Sequence, residues 1–294
     1  MKRTRPALLH TLLISLCVII LTGCRRSSKL PDAIGRPSEI VLIDGPHHEL
    51  RRILQDRRME GLPQPEYLFD LTDIKPSDFR GDLREAKIIV RYDRGRSLES
   101  INDKYAFPQT IITSNGRDPQ RLVNAILQAV LRHQQIQLLR HRNIKMEKRV
   151  SQLTGEKMLI PQDMTSCKRA RHFLWISNND GRVMKNILIF PAGEKVDSIL
   201  QRNMPGEEKG MYMQLATGLP NDQRTTDLEK KKLPRKADML RGLWEMRGDA
   251  MGGPYILYHK KNSPWSLMAF VYAPGHPKRE PMLELEASLL SFRP

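Results

Sequence analysis

The amino-acid sequence calls for an α+β fold: two mixed α/β halves bridged by a long helix near residues 118–154, the second half richer in antiparallel strand. Three features lead to this class. Short continuous apolar runs such as Ile40-Val41-Leu42-Ile43 have the length of buried strands. No strong helix breaker stands between Pro119 and Gly155. From Met239 onward, strand-like segments follow one another with only turn residues between them.

In the first half (39–117), Glu39 to Asp44 is a strand ending at Gly45-Pro46, and His47 to Glu60 is a helix stopped by Gly61 and Pro63. Tyr67, Phe69 and Leu71 alternate as on a half-buried strand, and Ser77 can cap a short helix through Ala86. Lys87 to Arg91 and Ala106 to Ser114 supply two more strands. Asp118-Pro119 then gives an N-cap followed by a proline in the first helical position. A helix over the whole interval 118–154 would be about 50 Å long. Val123, Ile126, Leu127 and Val130 share one face, whereas Leu139, Met146, Val150 and Leu153 fall nearly opposite, so the apolar stripe changes sides near Gln137. One helix packing on both halves, a kink, or two helices all accommodate that change. In the second unit (155–294), strands are expected at Phe173–Ser177, Asn186–Phe190, Met211–Thr217, Met239–Asp249, Tyr255–His259 and Leu267–Ala273, with helices at Val196–Met204 and Glu280–Phe292. The polar stretch 221–238, with Lys230-Lys231-Lys232 and Arg235-Lys236, reads as a mobile basic loop.

The N-terminus carries an address. Lys2, Arg3 and Arg5 precede an apolar run from Ala7 to Ile20, and Leu21-Thr22-Gly23-Cys24 closes it, which resembles a bacterial lipoprotein signal over residues 1–23. The run is shorter than the roughly 20 apolar residues of a spanning helix. Processing, as this resemblance implies it, cuts before Cys24, places diacylglycerol on its sulfur and adds a third acyl chain to its amine. Such a group holds a domain on a membrane essentially permanently. Residues 24–38 are polar and read as a flexible tether. Cys17 leaves with the signal and Cys24 is the lipidation site, so Cys167 remains as the one thiol, either a small buried residue or a reactive group.

The formal charge is +16, and without the signal 46 Lys and Arg stand against 33 Asp and Glu, a charge of +13. In an envelope compartment such an excess favours an acidic protein, lipid or polysaccharide as neighbour; nucleic acid is not an expected partner there. Two groups of residues are candidates for an interaction surface. On a strand over Arg241 to Asp249, Arg241, Glu245, Arg247 and Asp249 share one face, and Gly252-Gly253 follows in a turn where backbone can approach a ligand closely. The plainer reading is a salt-bridged strand face with Trp244 in the core. The second group is Arg140, Arg142, Lys145, Lys148 and Arg149, with Glu147 the only acid among them; its plainer reading is a solvated helix face. No nucleophile elbow, paired Cys-x-x-Cys, zinc-protease motif or phosphate loop occurs, so no catalytic residue, metal ligand or cofactor is nominated. His47-His48-Glu49 lacks a second helical ligand at Arg52, and an exposed helix start is its plainer reading.

Three stretches occur together: Gly61-Leu62-Pro63-Gln64-Pro65-Glu66 with Phe69-Asp70; Arg241-Gly242-Leu243-Trp244-Glu245-Met246 with Met251-Gly252-Gly253-Pro254; and Phe270-Val271-Tyr272-Ala273-Pro274. In these the chain resembles an uncharacterised family of bacterial envelope lipoproteins, domain of unknown function 4837. The resemblance extends from about Gly35 to the C-terminal helix. It implies a lipoprotein of a Gram-negative envelope and brings no established activity. Arg25 and Arg26 follow the lipidated cysteine in place of the acidic surface-export tract of some related lipoproteins, which favours an outer-membrane anchor facing the periplasm. The expected function is binding or scaffolding for an acidic envelope partner. The alternative is an enzyme or small-ligand binder with a polar site around 241–254.

Overall fold

A computed structural model describes residues 30–216 and 237–294. The signal 1–23, Cys24 and most of the expected loop 221–238 lie outside the described residues. The first half builds a five-stranded sheet from β1 (Glu39–Ile43), β2 (Asp70–Asp73), β3 (Ile88–Tyr92), β4 (Leu98–Asn102) and β5 (Thr110–Ser114) in the order β2-β1-β3-β5-β4. All neighbours are parallel except β4 against β5. The continuous apolar runs of β1 and β3 follow from burial on both faces, as parallel strands require. Ile40, Leu42, Ile88 and Val90 turn to the main core, whereas Val41, Ile43 and Ile89 pack under Phe79, Leu83 and Tyr105. β4 is polar and mostly exposed, pairs on one edge only, and has no periodicity by which the sequence would show it.

After β1, α1 (Glu49–Leu54) is shorter than the expected helix over His47 to Glu60. The Asp44 carboxylate accepts from the Leu50 and Arg51 amides at 3.2 and 2.8 Å and so fixes a later start. At the other end, the chain peels away to pair with itself: the Met59 amide donates to the Glu66 carbonyl (3.0 Å) and the Leu68 amide to that of Arg57 (2.8 Å).

The single long helix expected near 118–154 is two helices, α2 (Pro119–Arg140) and α3 (Ile144–Thr154). Asp118 caps α2 by accepting from the Arg121 amide at 2.9 Å. The break at His141–Asn143 is held by tertiary hydrogen bonds that a continuous helix could not make. The Asn143 amide donates to the Ile160 carbonyl (2.8 Å), its side-chain nitrogen donates to the Met164 carbonyl (3.0 Å), and its side-chain oxygen accepts from the Met146 amide (3.1 Å) as the cap of α3. The change of apolar face therefore falls at the break: Leu138 is buried, while Leu139 and Ile144 are about half exposed.

The second half forms a seven-stranded sheet, antiparallel throughout, from β6 (Ser166–Ala170), β7 (Phe173–Ser177), β8 (Met184–Pro191), β9 (Tyr212–Leu215), β10 (Ala237–Arg247), β11 (Gly252–Lys260) and β12 (Trp265–Tyr272), in the order β6-β7-β8-β12-β11-β10-β9. The α+β class and the antiparallel second half are as expected. α4 (Val196–Asn203) covers one face of this sheet over Phe190, Tyr255 and Phe270. The C-terminal helix α5 (Arg279–Leu290) lies on the other, packing on β12, β11 and α2. One continuous core, with side chains of both sheets, α2 and α5, runs through the molecule.

The N-terminus of α5 is capped from the first half. The amides of Lys278 and Arg279 donate to the Glu66 carboxylate at 2.8 and 3.0 Å. The Arg279 guanidinium forks onto Asp70 at 3.0 and 2.5 Å and donates to the Tyr67 carbonyl at 2.7 Å. Arg36 joins Asp70 from the N-terminal side at 3.1 Å, and Ser38 donates to Glu280. The expected flexible tether thus ends earlier than Ser38. Asp32 bridges Phe107, Ile34 bridges Ala86, and Ser38 is fully buried.

His133 on α2 is buried against β5. The Thr110 hydroxyl donates to Asn102 (2.9 Å), so it accepts from His133 Nε2 at 3.1 Å, which leaves His133 Nδ1 as an acceptor without a partner. Burial, with Arg132 and Lys87 adding to it, pushes the imidazole down to about 4.

Two stability predictions follow from these contacts. Asp70→Ala leaves the Arg279 side chain, only 10% exposed, with the Tyr67 carbonyl and Glu280 alone, and is expected to cost about 2–3 kcal/mol in urea denaturation, below the full buried-pair penalty because Asp70 is partly solvated and these acceptors remain. A loss under about 0.5 kcal/mol would show the fork to be a surface pair. As pH falls from 6.5 towards 4, the unfolded chain takes up a proton that buried His133 refuses. Its stabilisation is therefore complete above about 6.5 and declines by up to about 3 kcal/mol across this window. His133→Gln keeps a donor to Thr110 and should flatten that dependence between pH 7 and 4.5; an unchanged pH slope would exclude His133 as its source.

Candidate functional site

β10 alternates as its sequence requires. Trp244 and Met246 enter the cluster beneath α4, and Arg241 turns to the opposite face. There it lines a cleft of about 440 Å³ between the halves, walled by the Arg57–Glu60 segment and by α2, with Leu283 and Glu286 of α5 beside it. The Arg241 guanidinium meets Glu286 at 2.5 Å, and the Glu286 side chain is 8% exposed. Arg241 Nη1 is buried with no hydrogen-bond partner. Glu286 is thereby neutralised, and the further cations of the wall are Arg57 and Arg58 against Glu60. Arg58 is held with its guanidinium 3.5 Å from the centre of the Tyr67 ring.

The wall reaches β10 because residue 61 is glycine. Its φ is +76°, and a Cβ there would stand 3.1 Å from the Arg241 Cβ. The segments Gly61–Glu66 and Arg241–Met246, far apart in sequence, therefore touch, and both bear on α5: one through Glu66 at its N-terminus, the other through Arg241 at Glu286.

Arg241 enters this cleft without the other strand-face candidates. Glu245 accepts from Gln214 Nε2 at 2.6 Å, Arg247 donates to the Tyr212 hydroxyl at 2.5 Å, and Asp249 accepts from the Ala250 amide at 2.6 Å. Arg241, Glu245 and Arg247 share one face of β10 but stand apart, since six residues of strand span about 20 Å, and Asp249, expected on the same strand, lies in the turn after its end at Arg247. Gly252 and Gly253 admit close strand packing. A Cβ at Gly253 would collide with the Val271 carbonyl and stand 3.1 Å from Trp244 Nε1, blocking the Trp244–Val271 hydrogen bond of 3.3 Å.

The basic group is likewise divided. Arg140 pairs with Asp32 at 3.0 Å, Arg142 with Glu147 at 3.5 Å, and Arg149 donates to the Cys167 sulfur at 2.9 Å, leaving Lys145 and Lys148 exposed. On the far side of α5, a second groove of about 390 Å³ contains Lys185 between Asp163 and Glu284 at 2.8 and 2.6 Å. Burial opposes the Lys185 charge, but the two carboxylates outweigh it and hold its pKa above the ordinary lysine value. Among the described residues no group of three His, Cys, Asp or Glu side chains could hold a metal ion, and none of the described helices is long and apolar enough to cross a membrane.

Sequence reasoning missed Arg57, Arg58 and Glu286. Glu286 did leave a signal: it is an acid among Met282, Leu283, Leu285 and Leu289, and a carboxylate on an apolar helix face asks for a buried cation. The arginines left none, because a helix extended to Glu60 would have turned them to solvent.

A family model described as domain of unknown function (DUF4837) matches residues 143–291, and a second, domain of unknown function (DUF8532), matches residues 41–151. The two meet on α3, just beyond the break after α2. Neither the curated proteins nor the solved structures contain a match. The first model covers half of the chain, from the cap of α3 through the seven-stranded sheet to the end of α5, and the protein is a member of the DUF4837 family.

Proposed function

We propose that this protein is a lipid-anchored component of the cell envelope, held through Cys24 in the outer membrane facing the periplasm, and that it acts by binding an acidic partner at the Arg241 cleft. The observation that carries the binding reading is the Arg241 guanidinium. One of its terminal nitrogens is committed to Glu286, and the other is buried without an acceptor. A desolvated donor of this kind gains more from an arriving carboxylate or phosphate than a solvated lysine does. Arg57 and Arg58 at the rim favour the approach of an anion, and the charge of +13 that remains without the signal adds a long-range attraction of the same sign. The lipoprotein signal supports the location, and the basic residues after Cys24 support the orientation.

The cleft volume of about 440 Å³ also favours a second reading within the same chemistry, a small anionic ligand. A scaffold would present the cleft to an acidic side chain or polymer, whereas a ligand-binding protein would enclose a free molecule.

Mass spectrometry of protein extracted from membranes should show a mature N-terminus at Cys24 carrying three acyl chains; an unmodified Met1 terminus would sink the anchor. For the binding site, crosslinking capture of the full-length protein from intact envelopes should recover an acidic component. Arg57→Gln with Arg58→Gln should reduce that recovery about tenfold, as should raising the salt to 0.5 M. Equal recovery by wild type and double variant would remove the cleft from consideration.

A further inference from the structure

Large apolar side chains are exposed at few places, and several of them stand where the chain enters the fold. Leu30, the first described residue, is 40% exposed, Ile34 47% and Phe107 39%. Leu30 and Phe107 belong to one surface, and Ile34, whose amide donates to the Glu85 carbonyl at 2.9 Å, stands at its edge. The Phe107 amide donates to the Pro31 carbonyl at 2.8 Å, the Ala33 amide donates to the Phe107 carbonyl at 3.0 Å, and Asp32 bridges Phe107. The end of α2 reaches the same place, with Arg140 paired to Asp32 at 3.0 Å and its guanidinium 5.6 Å from the centre of the Phe107 ring. Leu139, 53% exposed, precedes Arg140, and Ile144, 51% exposed, follows four residues later across the helix break. The break matters here: on a continuous helix Leu139 and Ile144, five residues apart, would point about 140° from one another, whereas the turn at His141–Asn143 re-aims the chain between them and leaves both exposed.

The charged residues among them are Arg140, Arg142 and exposed Lys145, against the exposed carboxylate of Asp32. Asp32 is already paired to Arg140 and Glu147 to Arg142. Arg25, Arg26 and Lys29 precede this surface in the sequence.

Chain length then limits what this surface can meet. Six Cα-to-Cα steps separate Cys24 from Leu30, a span of at most about 20 Å. A folded unit of roughly 260 residues has a radius of gyration near 18 Å and a width of about 47 Å. A lipid on Cys24 therefore keeps the Leu30 surface within 20 Å of the bilayer and leaves the opposite side of the molecule beyond reach.

We propose that Leu30, Ile34, Phe107, Leu139 and Ile144, with Arg140, Arg142 and Lys145 among them, form a docking surface for an anionic phospholipid bilayer, and that the fold sits against the membrane that carries its anchor. The proposal rests on the lipidation of Cys24. Apolar tips enter the interface while the cations meet lipid phosphates, the division of labour of an interfacial amphipathic surface.

The test uses the full-length lipidated protein reconstituted into vesicles of phosphatidylglycerol and phosphatidylcholine, in a Cys167→Ser background, with a fluorophore on Leu139→Cys, Ile144→Cys or, as the distant control, Glu207→Cys on the loop between α4 and β9. Brominated lipids should quench the labels at 139 and 144 and leave the label at 207 unaffected. In pure phosphatidylcholine vesicles, and with Arg142→Gln and Lys145→Gln together, the docked fraction should fall at least fivefold. Vesicle-bound protein whose labels at 139 and 144 are quenched no more than that at 207 would overturn the docking surface while leaving the anchor standing. Equal quenching with and without phosphatidylglycerol would overturn the anionic assignment. Protein that fails to float with vesicles at all would overturn the anchor and the docking together.

Discussion

The Glu66 carboxylate beneath the first turn of α5 is the contact on which the arrangement of the two halves depends. A helix N-terminus leaves amide donors unpaired, and in α5 the first of these belong to the buried residues Lys278 and Arg279. The helix offers no side-chain cap of its own. The cap comes instead from a residue more than 200 positions earlier, and Asp70 adds its fork to Arg279 beside it. A carboxylate at this end also meets the positive pole of the helix. Without these contacts α5 would still be apolar enough to cover the second sheet, but its orientation towards the first would be set by non-directional packing alone. The hydrogen bonds supply a register that apolar burial does not.

Much of the fold was legible in the sequence because the relevant signals are local. The runs in β1 and β3, the Asp118-Pro119 start of α2 and the alternation of β10 each need only neighbouring residues to be recognised. The departures occur where distant residues decide. Nothing near Asn143 shows that Ile160 and Met164 will present carbonyls to it, so a pattern that permits one helix became two. β4 and β6 are polar edge strands, paired on one side, and so leave little periodicity to read. The long helix was expected to bridge the halves; the bridge is made by α2 and α5 together, packed against each other in the common core.

The candidate site was partly legible for the same reason. Arg241 is legible as one of four charges on a single strand face, but its partner Glu286 and its neighbours Arg57 and Arg58 come from elements brought near it by the fold alone. Glu245 and Arg247 share its face without sharing its cleft, because a shared face fixes direction without fixing distance, and Asp249 falls past the end of β10 in the turn. The glycines after β10 suggest a turn where backbone approaches a ligand, and the space beside them is instead taken by the protein's own backbone, at Trp244 for Gly252 and at Val271 for Gly253.

A buried arginine–glutamate pair is a poor device for stability alone, since desolvating both charges costs about as much as their attraction returns. The cost of Arg241 and Glu286 is tolerable because Glu286 is held on α5 and Arg241 on β10, so little side-chain freedom remains to be lost when they meet. The pair also sets the chemistry of the cleft. With Glu286 occupying Nη2, an incoming anion does not need to displace it, because the second terminal nitrogen has no acceptor. A cation entering the cleft would meet three arginines against Glu60, with the buried carboxylate of Glu286 already engaged. On the proposed reading, the same pair that ties α5 to β10 also leaves the cleft a free donor for an anion, so a change that loosens α5 would alter both together.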